Sequence, residues 1–235
     1  MTRPRLSGDN LEFLDRPDLD PRELRVCLAD VARLNRWFGG TRAVVAEVRR
    51  IVRLRGLKGR SHVLDIGAGG ADIPRALVRW GRGCGVHFHV IACDRHEGIA
   101  RAAAAFCSGV PSIRVLRADA LALPFRPERF DFITCSLTLH HLAEEEVVAL
   151  LRELRGLARQ ALIVSDLERG AWAWIGTWLG THLFCRSAYT RHDGPASVRR
   201  AYTLDELRAI SRRAGCENMR WSRRWLFRVV GVLEN

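Results

Sequence analysis

Apolar residues recur at helical spacing through the first sixty positions, then in short runs separated by Gly-rich turns. Leu24, Cys27, Leu28, Val31 and Leu34 share one helical face. Asp20 is placed to cap that helix, with Pro21 at its first position and Glu23 in its first turn. Gly39-Gly40 ends it; Thr41 then caps a second helix carrying Val44, Val45, Val48, Ile51 and Val52, closed by Gly56 and Gly59. From residue 62 strands alternate with helices. Residues 62–66, 86–93, 112–116, 130–136 and 161–167 read as strands. One helix runs through Trp80, an Ala-rich one follows the second strand, and a third covers 143–158. Glu144, Glu145 and Glu146 at the start of that third helix, and Arg152, Arg155 and Arg159 toward its end, match the helix macrodipole. Residues 168–202 interrupt the alternation with a stretch containing Trp172, Trp174 and Trp178. Thr203 and Glu206 have capping-box spacing for a helix to Gly215, and 218–233 reads as two antiparallel strands. The pattern predicts an α/β fold with a doubly wound, mostly parallel seven-stranded sheet, a C-terminal antiparallel hairpin and an N-terminal helical pair. It divides into a helical cap over 1–60 and a main domain over 61–235 with an insertion at 168–202.

Composition narrows the class. With 48% apolar and 27% charged residues in 235, the chain has enough apolar material for a packed core and is not disordered. The uncharged Trp-rich run, 171–185, is shorter than the ~20 residues a bilayer helix needs, and residues 1–18 lack a signal-peptide apolar stretch. Cys27, Cys84, Cys93, Cys107, Cys135, Cys185 and Cys216 form no CxxC pair, so no zinc site, other metal centre or disulfide framework is expected, and a reduced cytoplasm is the expected setting. The net charge of +12 suggests nucleic acid at first sight. Yet Lys58 is the only lysine among 38 basic residues, and the arginines are scattered rather than clustered. That pattern points to a coding bias, and nucleic acid is not the expected partner.

The most informative stretch is VLDIGAGGADIPRAL, 63–77, where a strand enters a glycine turn that opens a helix. Gly67 and Gly69 let backbone bend tightly and approach a ligand, and N–H groups converge there with the helix N-terminus. A dinucleotide fingerprint wants Gly where Asp72 stands. Asp65 would repel a pyrophosphate but can receive an ammonium group. Asp94 closes the second strand where ribose hydroxyls are reached, and Asp119-Ala120 follows the third, where a carboxylate accepts from an adenine amino group.

As a set these motifs resemble the class I S-adenosylmethionine-dependent methyltransferases. VLDIGAGGAD corresponds to the family's first motif, with Ala71 where Gly is usual; ACD (92–94), ADALALPF (118–125) and FDFITCSLTLHHL (130–142) correspond to the ribose, adenine and fourth-strand motifs. The resemblance covers roughly residues 40–232 and is nearest to small-molecule methyltransferases of ubiquinone and menaquinone synthesis. EFLDRPDLDPREL, LNRWFGG and RHDGPASVRRAYT also resemble a bacterial subgroup often encoded beside type III polyketide synthases. The resemblance implies S-adenosylmethionine as cofactor, held by Asp65, Gly67, Ala68, Gly69, Asp94, Arg95, Asp119, Ala120 and Ser136. It implies a small-molecule acceptor, with O-methylation of a phenol or enol of polyketide or quinone type ahead of C-methylation. RNA methylation and a non-catalytic cofactor-binding subunit are the rivals.

His140, His141 and Asp166 are the candidate catalytic residues, because they leave the fourth and fifth strands at the crevice edge. A histidine there deprotonates or positions a hydroxyl; the alternative is that it only bonds backbone. Asp166 orients a histidine or caps the next segment. His182, Arg186, Arg191, His192 and Asp193 line an acceptor pocket or are solvated, and Arg199 and Arg200 bind an anionic acceptor or lie on the surface. The Trp-rich stretch is expected to lid the acceptor, and Asn35–Gly40 to close over the cofactor.

Overall fold

In the computed structural model residues 3–4, 12–16 and 18–235 are described. Strands β1 (Gly59–Ile66), β2 (Val86–Asp94), β3 (Ile113–Arg117), β4 (Phe130–Ser136), β5 (Ala158–Leu167), β6 (Arg220–Arg224) and β7 (Arg228–Glu234) form one seven-stranded sheet in the order β3-β2-β1-β4-β5-β7-β6. The first five pair in parallel, and β7 runs antiparallel to both β5 and β6. Helices α1 (Pro21–Trp37) and α2 (Gly40–Leu54) precede the sheet; α3 (Asp72–Arg82), α4 (Glu97–Cys107) and α5 (Glu144–Leu157) connect its parallel strands. Helices α6 (Ala171–Phe184), α7 (Ala188–Arg200) and α8 (Leu204–Arg213) lie between β5 and the hairpin.

The central strands are apolar on successive residues because both faces are covered. Leu64, Ile133 and Leu162 pack with Leu151 and Leu154 of α5 and Leu207 and Ile210 of α8. Val63, Phe132 and Ile163 face the other way, onto Val44, Val48 and Ile51 of α2 and Leu77 of α3. Helix α2 is thus part of the main core, whereas α1 packs through Leu24 and Leu28 onto Ile99 and Ala102 of α4. Strand order reverses between β1 and β4, which opens a crevice at their carboxyl ends.

Two expectations need correction. Thr41 does not cap α2: the helix begins at Gly40 after Gly39 in the left-handed region (φ 78°), and the Thr41 hydroxyl instead donates to Asp72 Oδ2 at 2.5 Å. Strands β1 and β5 start three residues early, at Gly59 and Ala158, because backbone pairing with Val86 and Phe130 continues beneath polar side chains. Residues 168–202 are two packed helices, and Gly194 allows their contact: a Cβ there would meet Thr181 Cγ2 at 2.7 Å. Asp20 and the Thr203/Glu206 box cap their helices as expected.

Candidate active site

At the crevice a cavity of about 470 Å³ is walled by the glycine turn, the ends of β2 and β4, and parts of α1, α6 and α7. The glycine turn alternates hands. Gly67, Gly69 and Ala71 all take left-handed backbone (φ 64°, 49° and 53°), and Ala71 does so with a side chain. At Gly67 a Cβ would overlap the Thr138 hydroxyl, so the wall comes closest to the cavity where no side chain fits. The turn's amides do not all face the cavity: Ala68 N–H donates to the Cys93 carbonyl and Gly69 N–H to Asp94 Oδ2. The Asp94 carboxylate also accepts from His96 N–H at 3.0 Å, which fixes it at the β2 end. Burial pushes its carboxyl up, opposed by those two amides. Asp65 is fully buried under the turn and accepts from Thr134 Oγ1; burial, only partly offset by that bond, pushes it up to about 8. Asp119 lies farther out, its Oδ1 accepting from Leu121 N–H at 2.9 Å.

The opposite wall is a polar cluster. His140 and His141 sit on a one-turn 3-10 helix, Leu139–His141, just beyond β4. Asp166 at the end of β5 accepts from the amides of Leu139 and His140 and from His140 Nδ1 at 2.7 Å. Burial alone would raise Asp166, but His140, the Leu167 amide and the charge of His141 hold its carboxyl below the usual range. An ionised carboxylate only accepts, so Nδ1 carries the hydrogen, and in the neutral imidazole the Nε2 lone pair is turned outward. His141 repeats the arrangement, its Nδ1 donating to Asp15 Oδ1 at 2.9 Å. Burial opposes ionisation of Asp15 too, yet His141 and Arg200 hold it far below the usual range. Between the two imidazoles stands Glu12, buried, with its carboxyl pushed up to about 7 by burial against the pull of His141 and Arg200. Arg200 Nη1 bonds both Glu12 Oε1 (3.2 Å) and Asp15 Oδ2 (2.8 Å), and Ser197 donates to Glu12 Oε1.

The cavity lining therefore includes Asp65, Gly67, Ala68, Gly69, Asp94, Arg95, Asp119, Ala120, Ser136, His140 and His141, while Asp166 supports it from behind. Asn35 and Phe38 also line it, and Trp37 points out. The lid reading is corrected. Helix α6 turns Gly176, Thr177, Gly180 and Thr181 to the cavity, while Trp172 and Trp178 are 76% and 43% exposed on the outside. Helix α7 adds Thr190, Asp193, Gly194 and Ser197, so the lid's inner surface is small and polar. His182, Arg186, Arg191 and His192 lie outside; Asp193 is buried and clamps the Phe13 and Leu14 amides. Arg200 is already paired with carboxylates, and Arg199 stacks over Trp174, so neither is free for an anionic acceptor.

Four contributors escaped the sequence reading: Glu12, Asp15, Thr138 and Arg228. Arg228 is buried at the start of β7; its Nη2 donates to Asn35 Oδ1 at 2.6 Å, and its Nη1 has no hydrogen-bond partner among the described residues. The one signal for it is an arginine opening an otherwise apolar strand, RVVGVL.

Comparison with known proteins accords with this geometry. A methyltransferase-domain family model matches residues 63–161. The chain is 32% identical over 191 residues to a demethylmenaquinone methyltransferase of Roseiflexus castenholzii (strain DSM 13941 / HLO8), covering 72% of this chain and 71% of that one. To a demethylmenaquinone methyltransferase of Roseiflexus sp. (strain RS-1) it is 37% identical over 113 residues, 45% of this chain and 41% of the relative. A SAM dependent methyltransferase from Aquifex aeolicus shares the fold with a TM-score of 0.56 at 21% identity, over 92% of this chain and 100% of that one. So does magnesium protoporphyrin IX methyltransferase from Synechocystis PCC 6803 with bound SAH, with a TM-score of 0.55 at 19% identity over 83% and 82% of the two chains. The chain belongs to the class I S-adenosylmethionine-dependent methyltransferases. Within that class it resembles quinone-type methyltransferases. No helix among the described residues is long and apolar enough to cross a membrane.

Proposed function

We propose that this enzyme methylates an oxygen of a phenolic or enolic small molecule of polyketide or quinone type. The residues around the glycine turn fit S-adenosylmethionine: the backbone at Gly67 leaves no room for a Cβ, and Asp65 and Asp94 offer carboxylates at two adjacent strand ends. Asp94 and Arg95 would face the ribose, Asp119 and Ala120 the adenine, and Asp65 the ammonium side; Ala68, Gly69 and Ser136 complete the wall. When bound, the cofactor supplies an electrophilic methyl group on sulfonium.

The observation that carries the acceptor reading is the orientation of the histidines. Asp166 and Asp15 hold both Nδ1 atoms protonated, so that in their neutral form the two imidazoles present Nε2 lone pairs beside the cavity. A hydroxyl taken up there is held by the imidazoles and its ionisation is eased. Positioning of this kind contributes ~7–11 kcal/mol to a displacement with in-line geometry. The small polar lining of α6 and α7 leaves space for a ring, and Arg228 Nη1 offers a donor to a carbonyl or enolate oxygen. C-methylation is the second reading, favoured by the demethylmenaquinone relatives; the same ionised oxygen would activate a ring carbon.

The test incubates the protein with S-adenosylmethionine and a panel of phenols, enols and reduced quinones, and locates the new methyl by carbon NMR. A methoxy product is expected. A carbon-bound methyl selects the second reading, and methylation of tRNA or rRNA with none of the panel overturns both.

A further inference from the structure

We propose that Glu12, His140 and His141 form a binding site for a divalent transition-metal ion at the acceptor end of the cavity. One ligand atom from each of the three lies within 4.8 Å of the others. His140 Nε2 stands 3.7 Å from Glu12 Oε1, and His141 Nε2 stands 3.8 Å from Glu12 Oε2. These separations exceed a hydrogen bond. They approach the ~3.3–3.6 Å between two donors that each sit ~2.0–2.2 Å from one tetrahedral or five-coordinate ion.

The groups behind the three ligands carry the argument further. A histidine that ligates through Nε2 characteristically donates Nδ1–H to a carboxylate or carbonyl, which fixes its tautomer and its ring plane. Both histidines meet that condition: His140 through Asp166 at 2.7 Å and His141 through Asp15 at 2.9 Å. Glu12 is oriented in turn by Ser197 and Arg200, both on Oε1, so Oε2 is left toward His141. Two imidazoles and one carboxylate suit zinc, iron(II), cobalt or nickel rather than magnesium or calcium, which prefer oxygen shells.

The cluster forms a wall of the cavity, so an ion there keeps coordination positions open toward the acceptor. A hydroxyl taking one of them is acidified as metal-bound water is. That use rests on the acceptor reading above, whereas the ion site itself does not.

The test strips the full-length protein with a chelator and titrates it with Zn²⁺ by calorimetry and with Co²⁺ by visible absorption. One ion per chain is expected, with cobalt ligand-field bands. Glu12→Gln and His141→Ala should each weaken binding at least about 10- to 100-fold, and Asp15→Asn should weaken it by a similar factor through the lost Nδ1 clamp. Thermal melts and S-adenosylhomocysteine affinity serve as the folding control for each variant. No saturable binding to the wild type overturns the proposal, as does equal affinity in the folded variants. Metal binding without methyl transfer to any phenol or enol would leave this site standing and remove the acceptor reading; methyl transfer by a metal-free, non-binding protein would do the reverse.

Discussion

The two halves of the cavity are built in opposite ways. The half proposed to hold the cofactor comes from one run of chain: the turn after β1, with Asp94 and Asp119 following at the next two strand ends. Its conformations are imposed by glycines and by amide-to-carboxylate bonds between neighbouring strand ends, such as Gly69 to Asp94. The acceptor half assembles Glu12 and Asp15, His140 and His141, Asp166, Arg200 and Arg228 from five separate places in the chain. Each of its side chains is held by another distant one. A ligand site made from contiguous backbone tolerates change at its rim, whereas a site made from mutually oriented side chains fails as a unit.

The largest expected effect follows from that contrast. His140→Ala, or His141→Ala, should lower turnover by ~10²–10⁴ if an imidazole acts as base. Under the positioning mechanism favoured here, the loss is similar at every pH; under base catalysis it shrinks as the acceptor ionises unaided. Cofactor affinity should stay near the wild-type value in both variants and in the double mutant. Pre-steady-state methyl transfer against pH, alongside S-adenosylhomocysteine titrations, separates the outcomes. Full activity in the double mutant would remove the pair from the site.

On the cofactor side the effects are smaller and fall on binding. Asp94→Ala removes a carboxylate placed for charge-assisted hydrogen bonds of about 1.5–3 kcal/mol each, so the dissociation constant should rise ~10-fold or more with turnover at saturation little changed. An unaltered constant would put the ribose elsewhere. Gly67→Ala combines positive φ with overlap on Thr138, and strain of this kind costs of order 1–3 kcal/mol, readable as a lowered melting temperature.

Asp65 adds a pH signature. Its folded-state pKa of about 8 lies above the ordinary 3.8. The unfolded chain therefore ionises first, and this group lowers stability progressively as pH rises from about 4 to about 8. Glu12, raised to about 7, acts in the same direction over part of that window. Asp65→Asn should flatten the decline of melting temperature across it. Binding of a cationic cofactor near neutral pH should draw a proton off Asp65, detected as a buffer-dependent binding enthalpy that the variant loses. A buffer-independent enthalpy in the wild type would mean that the ammonium is held by another group.

The same contrast explains what could be read from the amino acids. Strand alternation, the glycine turn and three strand-end acids are local patterns, so the sheet was legible, and so was the gathering of those acids at one cavity wall. The pairing of Glu12 with Arg200 was not, because a charged residue in a polar stretch looks the same whether solvent or a partner 188 positions away satisfies it. Helix α6 misled for a related reason. Its tryptophans are its largest residues, yet Gly176 and Gly180 permit close approach to the cavity, so the small face turned inward. Asp166 was legible as a candidate since it ends a buried strand, but its bond to His140 depends on the 3-10 turn.

The smallest effect is expected at Ala71, where the cofactor half departs from the usual glycine. A side chain in left-handed backbone costs roughly 1–2 kcal/mol, which Ala71→Gly would relieve. Against that gain, glycine widens the unfolded ensemble by about 0.4–1 kcal/mol. The Ala71 methyl is also completely buried, and removing it forfeits about 0.8 kcal/mol of apolar burial. The terms nearly cancel, so Ala71→Gly should change stability by less than about 1 kcal/mol in either direction, with cofactor affinity unaltered. Paired denaturant melts of Gly67→Ala and Ala71→Gly measure the two ends of one turn. A large loss at Ala71 would show that its methyl packing, rather than backbone freedom, shapes the turn. A stabilisation well above 1 kcal/mol would show strain stored beside the cofactor and unoffset by the packed methyl.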